Sequence, residues 1–229
     1  MRDSSVDIVL LYPELLGTYG DRGNALVLHR RCALRGIDAR VIEVGITEPV
    51  PASGSLYLLG GGEDAPQLTA LDALRASGAL TTKSVLLAVC AGYQIVGSTL
   101  ADGNGKIVEG LGLLDAHTTR APKRLVGDIA VEDDVLGVGT LVGFENHRGV
   151  TETGPEAQPL GRRRPEHGYA TDGAVQRHIV GTYLHGPVLA RNPRLADRLL
   201  EWVVGRLSPL ADKEADLLHT ERVRALRRR

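Results

Sequence analysis

The chain has 229 residues, enough for one large domain or two small ones, and 43% of them are hydrophobic. Its 27 lysine and arginine residues balance 28 aspartate and glutamate residues, so the net charge of -1 excludes a general attraction to nucleic acid or to an anionic membrane. Two cysteines are too few for a disulfide framework, and no histidine or cysteine cluster has metal-ligand spacing. The N-terminal apolar run is too short to span a membrane and lacks a cleavage signal. We therefore expect a cytoplasmic protein without a metal or cofactor.

The N-terminal part of the sequence alternates apolar runs with helical patterns. The first apolar run, VDIVLLY (6–12), is continuous, which is typical of a strand buried on both faces. The following segments read in turn as helix, strand, strand, helix, strand and helix: ALVLHRRCALRG (25–36), ARVIEV (39–44), SLYLLGGG (55–62), PQLTALDALRASGAL (66–80), SVLLAV (84–89) and AGYQIVGSTL (91–100). This alternation predicts an α/β fold with a doubly wound, mostly parallel sheet and helices on both of its faces.

The pattern changes between about Gly103 and Thr182, where short glycine- and valine-rich pieces predict added, partly antiparallel strands on the same sheet. These pieces are KIVEGLGLL (106–114), RLVGDIAVE (124–132), TLVGFENHRG (140–149) and HIVGTYLHG (178–186). After them, residues 189–207 predict one long amphipathic helix, and residues 212–229 predict a second helical tail. No linker divides the chain, so we expect a single domain over residues 1–229, with its helical tail from about 189 to 229.

Cys90 lies where the fourth predicted strand meets the helix that follows it, just before Ala91 and Gly92. A nucleophile on such a tight turn is lifted out of the sheet, and the N–H groups of the helix N-terminus favour a thiolate. The alternative is a buried structural cysteine, although a small hydrophobe needs no such flanking residues. Cys32 lies within a helical pattern and is predicted to be a packing residue.

A thiol nucleophile needs a base, and the chain has seven histidines. His185 follows an apolar strand, where open α/β sheets gather catalytic groups, so it is the predicted base, with a structural strand-end histidine as the alternative. His147 lies in the loop-like stretch GFENHRG. The other five lie in polar or helical contexts: His29, His117, His167, His178 and His219. Gly60 to Gly62 follow the third strand and would let backbone N–H groups approach an oxyanion, and they lack the phosphate-binding glycine patterns.

Together these motifs resemble a known family. The glycine trio, VCAGYQ around Cys90 and GTYL before His185 are similar to a class I (triad) glutamine amidotransferase of the cobyric acid synthase-like branch. Four longer motifs resemble, more narrowly, the GatD subunits of lipid II isoglutaminyl synthases. These motifs are GTYGDRGN (17–24), GGGED (60–64), GFENHRG (143–149) and GTYLHGP (181–187). The resemblance covers nearly the whole chain.

The resemblance implies roles for six residues. Cys90 would attack the side-chain amide of L-glutamine, with His185 as the base and then as the acid toward the leaving ammonia. Backbone N–H groups at Gly61 and Ala91 would hold the oxyanion. Gln94, one helical turn after the nucleophile, would help to seat the substrate.

Arg124, in APKRLVGD, is similar in place to the family's glutamine-binding arginine and suits the α-carboxylate, with a surface role as the alternative. One departure concerns the third member of the triad. Many class I enzymes have a glutamate two residues after the histidine, but this chain has Pro187, which cannot orient an imidazole. Either a dyad suffices, another carboxylate of this chain serves, or a partner supplies one.

The predicted elements leave no room for an ATP-binding or acceptor domain, so we expect another polypeptide to use the ammonia. The resemblance implies a heterodimer with a Mur ligase-like ATP-dependent subunit, which amidates the D-glutamate of lipid II, a lipid-linked acceptor, to D-isoglutamine in peptidoglycan biosynthesis. The alternatives are an amidotransferase subunit for a cobyrinate-type or other biosynthetic synthetase, and a non-catalytic α/β binding subunit. Glutamine-dependent ammonia release would distinguish the last alternative, and the co-purifying partner would distinguish the other two.

Overall fold

The computed structural model of the chain describes residues 5–133, 135–163 and 170–227. The strands of these ranges are Val6–Leu11 (β1), Ala39–Val44 (β2), Leu56–Leu59 (β3), Leu86–Val89 (β4), Thr99–Ala101 (β5), Ile107–Glu109 (β6), Ala116–Asp133 (β7), Thr140–Thr153 (β8), Gln158–Arg163 (β9), Thr171–Gln176 (β10) and Ile179–Thr182 (β11). The helices are Arg22–Ala33 (α1), Asp64–Ser77 (α2), Ala91–Val96 (α3), Val188–Arg191 (α4), Pro193–Val204 (α5) and Lys213–Arg227 (α6).

These strands form one sheet in the order β2-β1-β3-β4-β11-β10-β9-β7-β5-β6, with β8 paired to β7. The first five strands of this order are parallel to one another. From β11 onward the pairings β11–β10, β10–β9, β9–β7, β7–β8 and β5–β6 are antiparallel. The predicted α/β sheet with added antiparallel strands is confirmed, and its antiparallel part is as extensive as its parallel part.

The centre of the parallel sheet determines where the site lies. Every residue of β3, β4 and β11 is buried, which explains why these strands are continuous apolar runs in the sequence. Strands β4 and β11 are neighbours in parallel register, with Val89 opposite Thr182. Their carboxyl ends therefore reach the same edge of the sheet, and Cys90 and His185 follow them there.

The predicted single helix over residues 189–207 is wrong, because the chain leaves helical geometry at Asn192. The side-chain amide of Asn192 donates to the carbonyls of Val142 and Val188 and accepts from the N–H of Val142, all at 2.8 Å. Pro193 then begins α5 without needing an N–H partner. Two helices, α4 and α5, therefore replace the predicted one, while α6 lies within the predicted tail.

Two of the β-like pieces predicted after residue 103, 124–132 and 140–149, are parts of the longer strands β7 and β8, whereas 106–114 and 178–186 contain only the short strands β6 and β11. Strands β7 and β8 form an antiparallel ribbon whose pairing is irregular between Arg120 and Leu125. His147 lies in β8 and not in a loop, and His167 lies outside the described residues. No helix within the described ranges is long and apolar enough to cross a membrane.

Candidate active site

Cys90 occupies a strained turn between β4 and α3. Its φ of 52° is unusual for a residue other than glycine, and its N–H donates to the carbonyl of Thr182 at 2.8 Å. The small residue after the turn is required, because a Cβ on Gly92 would lie 2.7 Å from the Cβ of Leu59. The turn therefore has the strand, nucleophile and helix arrangement that the sequence predicts.

Burial determines the resting protonation state of Cys90, the predicted nucleophile. Desolvation raises the pKa of Cys90 to about 12; the backbone N–H of Ala91 opposes this shift, Asp21 adds to it and the cationic Arg124 opposes it. The expected preference for a thiolate is thus outweighed, and the neutral thiol is the resting form. An attacking sulfur must therefore pass its proton to a base. Burial also raises the pKa of Cys32, which lies on the buried side of α1 and packs in the core as predicted.

His185 is 1% exposed and is held by packing contacts. Its ring centroid lies 4.1 Å from that of Tyr19, and its backbone exchanges hydrogen bonds with Phe144. Burial, together with His147 and Arg124, lowers the pKa of His185 to about 4. Neither ring nitrogen has a hydrogen-bond partner among the described residues. The imidazole is therefore neutral near pH 7, as a base must be, and packing contacts hold it without a hydrogen bond from the described ranges of this chain.

A cavity of about 370 Å³ opens over Cys90. Its walls include four of the predicted site residues, Cys90, Ala91, Gln94 and Arg124. His185 and Gly61 do not line it, whereas Tyr19, which lies against both, does. The remaining lining residues are Gly62, Glu63, Asp64, Gln67, Ala101, Thr118, Thr119, Arg120, Asn146, His147, Arg148 and Gly149.

The amide of Gln94 is fixed on both sides. Its Oε1 accepts from Gln67 Nε2 at 2.9 Å, and its Nε2 donates to the hydroxyl of Tyr183 at 3.3 Å. Gln67 also donates to the carbonyl of Ala91 at 3.2 Å. Gln94 is therefore a rigid part of the cavity wall next to the nucleophile, a position that fits the predicted role in seating a substrate.

Arg124 lies at the mouth of the same cavity. Its Nε donates to Oδ1 of Asn146, and its Nη2 donates to the hydroxyl of Tyr19 at 3.3 Å. Arg124 and both partners line the cavity, so these hydrogen bonds hold the guanidinium at its wall. A guanidinium has further N–H donors, arranged to match a carboxylate. The arrangement can bind the carboxylate of an amino acid whose side chain reaches Cys90.

The hydrogen bonding of the glycine trio differs from the prediction. The N–H of Gly61 donates to Oδ2 of Asp21 at 2.8 Å, so this proposed oxyanion donor already has an acceptor. A Cβ on Gly60 would come within 2.0 Å of the carbonyl of Leu16, which explains the glycine there. Gly62 is the member of the trio that lines the cavity. The oxyanion role of Gly61 thus stays a prediction, and Gly62 is the better-placed donor of the trio.

Sequence reasoning missed two buried polar groups beside the site. Asp21, in GDRGN, is 2% exposed, and burial raises its pKa to about 6 against the effect of the Gly61 N–H. His147, in FENHRG, stacks on Tyr183 at 3.7 Å, and its Nδ1 donates to the carbonyl of Gly149 at 2.9 Å. Both residues belong to motifs that carried the resemblance, and that was the only available signal.

The sequence matches the model of the CobB/CobQ-like glutamine amidotransferase domain over residues 7–193. It is 35% identical over 214 residues to the Staphylococcus aureus protein named lipid II isoglutaminyl synthase (glutamine-hydrolyzing) subunit GatD, covering 88% of this chain and 86% of that one. The Streptococcus pneumoniae protein of the same name is 32% identical, covering 85% and 79%. A cobyric acid synthase of Deinococcus radiodurans is 32% identical, covering 79% of this chain and 41% of that one.

Solved structures agree on the fold. The crystal structure of a glutamine amidotransferase aligns with 87% of this chain and 100% of its own, with a TM-score of 0.59 at 20% identity. The glutaminase domain of Trypanosoma brucei CTPS, with bound acivicin, aligns with 90% of this chain and 96% of its own, with a TM-score of 0.55 at 10% identity. At such identities the likeness concerns the fold alone.

Proposed function

Because the chain belongs to the CobB/CobQ-like glutamine amidotransferase family, we propose that Cys90 hydrolyses the side-chain amide of L-glutamine through a thioester, with His185 as the base. The observation that carries this proposal is the position of Cys90 on its positive-φ turn, at the edge where the neighbouring strand β11 leads to His185. The cavity above the sulfur gives the amide access to it.

The two resting protonation states define the first step. The thiol of Cys90 gives its proton to the neutral imidazole of His185 while the sulfur bonds to the amide carbon. The carbonyl oxygen becomes an oxyanion, which the N–H of Ala91 and a donor of the glycine trio stabilise. The imidazolium then protonates the departing nitrogen, ammonia leaves, and a glutamyl thioester remains on Cys90. Water, deprotonated by His185, hydrolyses the thioester to glutamate and restores the thiol.

The α-carboxylate of the substrate pairs with Arg124 at the cavity mouth, and Gln94 seats the chain of the substrate from the opposite wall. Both residues line the cavity that contains Cys90, which supports this assignment. An ion pair with hydrogen bonds to a carboxylate is worth about 1.5–3 kcal/mol, enough to select α-amino acids over simple amides.

We further propose that the ammonia passes to a Mur ligase-like ATP-dependent subunit, which amidates the α-carboxylate of the D-glutamate of lipid II and yields D-isoglutamine. The names of the Staphylococcus aureus and Streptococcus pneumoniae relatives support the lipid II acceptor and the existence of a second subunit, as this chain covers 86% and 79% of their lengths. The ring nitrogens of His185 have no hydrogen-bond partner among the described residues, and because they are buried, a carboxylate of the partner subunit would orient the ring only if binding opens access to it.

The test compares glutamine-dependent ammonia release by the isolated chain and by its complex with the co-expressed Mur ligase-like subunit. We expect slow release from the isolated chain, faster release from the complex, and amidated lipid II when ATP is present. Replacing the partner's interfacial aspartate and glutamate residues one at a time identifies the carboxylate that orients His185. An isolated chain as fast as the complex would contradict completion by the partner. Amidation of a cobyrinate-type acceptor in place of lipid II would contradict the acceptor assignment.

A further inference from the structure

The segment GDRGN (20–24) joins the two halves of the proposed site. Both carboxylate oxygens of Asp21 accept hydrogen bonds. Oδ2 accepts from the N–H of Gly61 at 2.8 Å, and Oδ1 accepts from Nδ2 of Asn24 at 3.2 Å. Asp21 and Asn24 are each 2% exposed. A buried carboxylate is expensive to keep, so a role that needs both oxygens explains its presence.

The same segment contacts residues 185–189, which are called the His185 segment below. Oδ1 of Asn24 accepts from the N–H of Leu189 at 3.0 Å, in the first turn of α4. Gly23 packs so closely on Pro187 that a Cβ would come within 2.2 Å of its Cγ. One short segment therefore contacts the glycine trio on one side and the His185 segment on the other.

We propose that Asp21 and Asn24 are positioning residues that hold the oxyanion glycines and the His185 segment in register over Cys90. The inference rests on the proposed thioester chemistry. Asparagine at position 21 has one acceptor oxygen, and its NH₂ would face a donor, so it cannot keep both hydrogen bonds. A carboxylate is therefore the side chain that links Gly61 to Asn24.

The charge of Asp21 indicates that its role is geometric. Its negative charge is one of the effects that raise the pKa of Cys90, so it opposes formation of the thiolate. A residue that activated the nucleophile through its charge would have the opposite sign. Removing the carboxylate should therefore make the sulfur at least as reactive while it loosens the glycine trio.

Two rates, measured in a Cys32→Ala background, separate a loss of geometry at the glycine trio from a change in the reactivity of Cys90. Glutamine hydrolysis needs the oxyanion donors, whereas alkylation of Cys90 by iodoacetamide needs the thiolate but no oxyanion donor. We expect Asp21→Asn to lower kcat for glutamine roughly 10²-fold, the usual effect of losing one oxyanion donor, because loosening Gly61 displaces the neighbouring N–H of Gly62, with KM little changed. Alkylation of Cys90 should be as fast as in the parent or faster.

Asn24→Ala is the second variant, because it disturbs the His185 segment and can be measured if Asp21→Asn fails to fold. It should lower kcat while the circular dichroism spectrum stays that of the parent, since it displaces the His185 segment without unfolding the chain. Arg22→Ala is the matched control from the same segment. The Arg22 side chain is 63% exposed and pairs only with Glu43 in the described structure, so both rates should stay at the parent value.

Three results would overturn the inference: an unchanged kcat in Asp21→Asn, equal losses of kcat and alkylation rate in that variant, or a rise in both. Equal losses would indicate general loosening of the structure, and a rise in both would indicate a role through charge alone. A parent chain that hydrolyses no glutamine, alone or in complex, would refute the proposed function and this inference with it. An active parent with an unaffected Asp21→Asn would refute the inference alone.

Discussion

The imidazole of His185 lies against the α-carbon of Gly61, where a Cβ would come within 2.7 Å of Cε1 and 3.3 Å of Nδ1. The ring of Tyr19 packs near it, with 4.1 Å between the ring centroids. Because the ring nitrogens have no hydrogen-bond partner in the described part of the chain, these contacts set the position of the base. The space left by the missing side chain of Gly61 is thus part of the site.

Gly61→Ala should displace His185, because the new methyl group would occupy the place of the ring. A misplacement of about 1 Å at a catalytic group can lower kcat by about 10²-fold. The methyl group would also come within 3.0 Å of the Tyr19 ring, whose hydroxyl accepts from Arg124, so a smaller rise in KM is expected as well. Steady-state kinetics with glutamine measure both values. Gly127→Ala is the matched control, as nothing lies within 4 Å of a Cβ there. An unchanged kcat in Gly61→Ala would show that the ring position is unimportant.

Arg124→Ala should lower kcat/KM for glutamine by roughly 10- to 100-fold, mainly through KM, because a charge-assisted contact to the α-carboxylate is worth about 1.5–3 kcal/mol. The neighbouring Lys123 is exposed and does not line the cavity, so Lys123→Ala should match the wild type. Equal kcat/KM values for the two variants would make Arg124 a surface residue.

The pH profile of the isolated chain should reflect the lowered pKa of His185. The neutral imidazole is the active form, and its pKa falls from the usual 6.5 to about 4, so activity should persist well below pH 6.5 and be lost near pH 4. A carboxylate supplied by a partner would favour the imidazolium and move this limb upward in the complex.

The control for this profile is Asp21→Asn, because the pKa of Asp21 is raised to about 6 and lies within the same range. A limb near pH 6 that disappears in this variant belongs to Asp21. A limb near pH 6.5 that persists in the isolated variant would contradict the lowered pKa of His185. Circular dichroism at each pH checks that the chain stays folded.

The local features of the fold could be read from the sequence. The apolar run before Cys90 and the small residues after it predict the turn, because neighbours in the chain determine both the strand and the tight geometry. The break at Asn192 was missed since its cause is distant: the side chain of Asn192 binds the backbone of Val142 in another strand. The Asn-Pro pair was the local signal of that break.

The residues of the site show the same contrast between local and distant causes. Cys90 and His185 could be proposed as catalytic residues because each follows a recognisable strand. Asp21 was not, because its partner Gly61 lies 40 residues away and only the folded sheet brings the two together. His147 was assigned to a loop because β8 has polar residues along its length, so alternation of apolar residues does not reveal the strand.

If Cys90 carries the glutamyl group, the mass of the protein should increase after rapid acid quenching with glutamine. We expect a gain of one glutamyl group, mapped to the peptide that contains Cys90, in the wild type and in Cys32→Ala. Cys90→Ala should gain nothing and release no ammonia while remaining folded by circular dichroism. Near-normal ammonia release from Cys90→Ala, or a glutamyl group on any other residue of the wild type, would contradict the account.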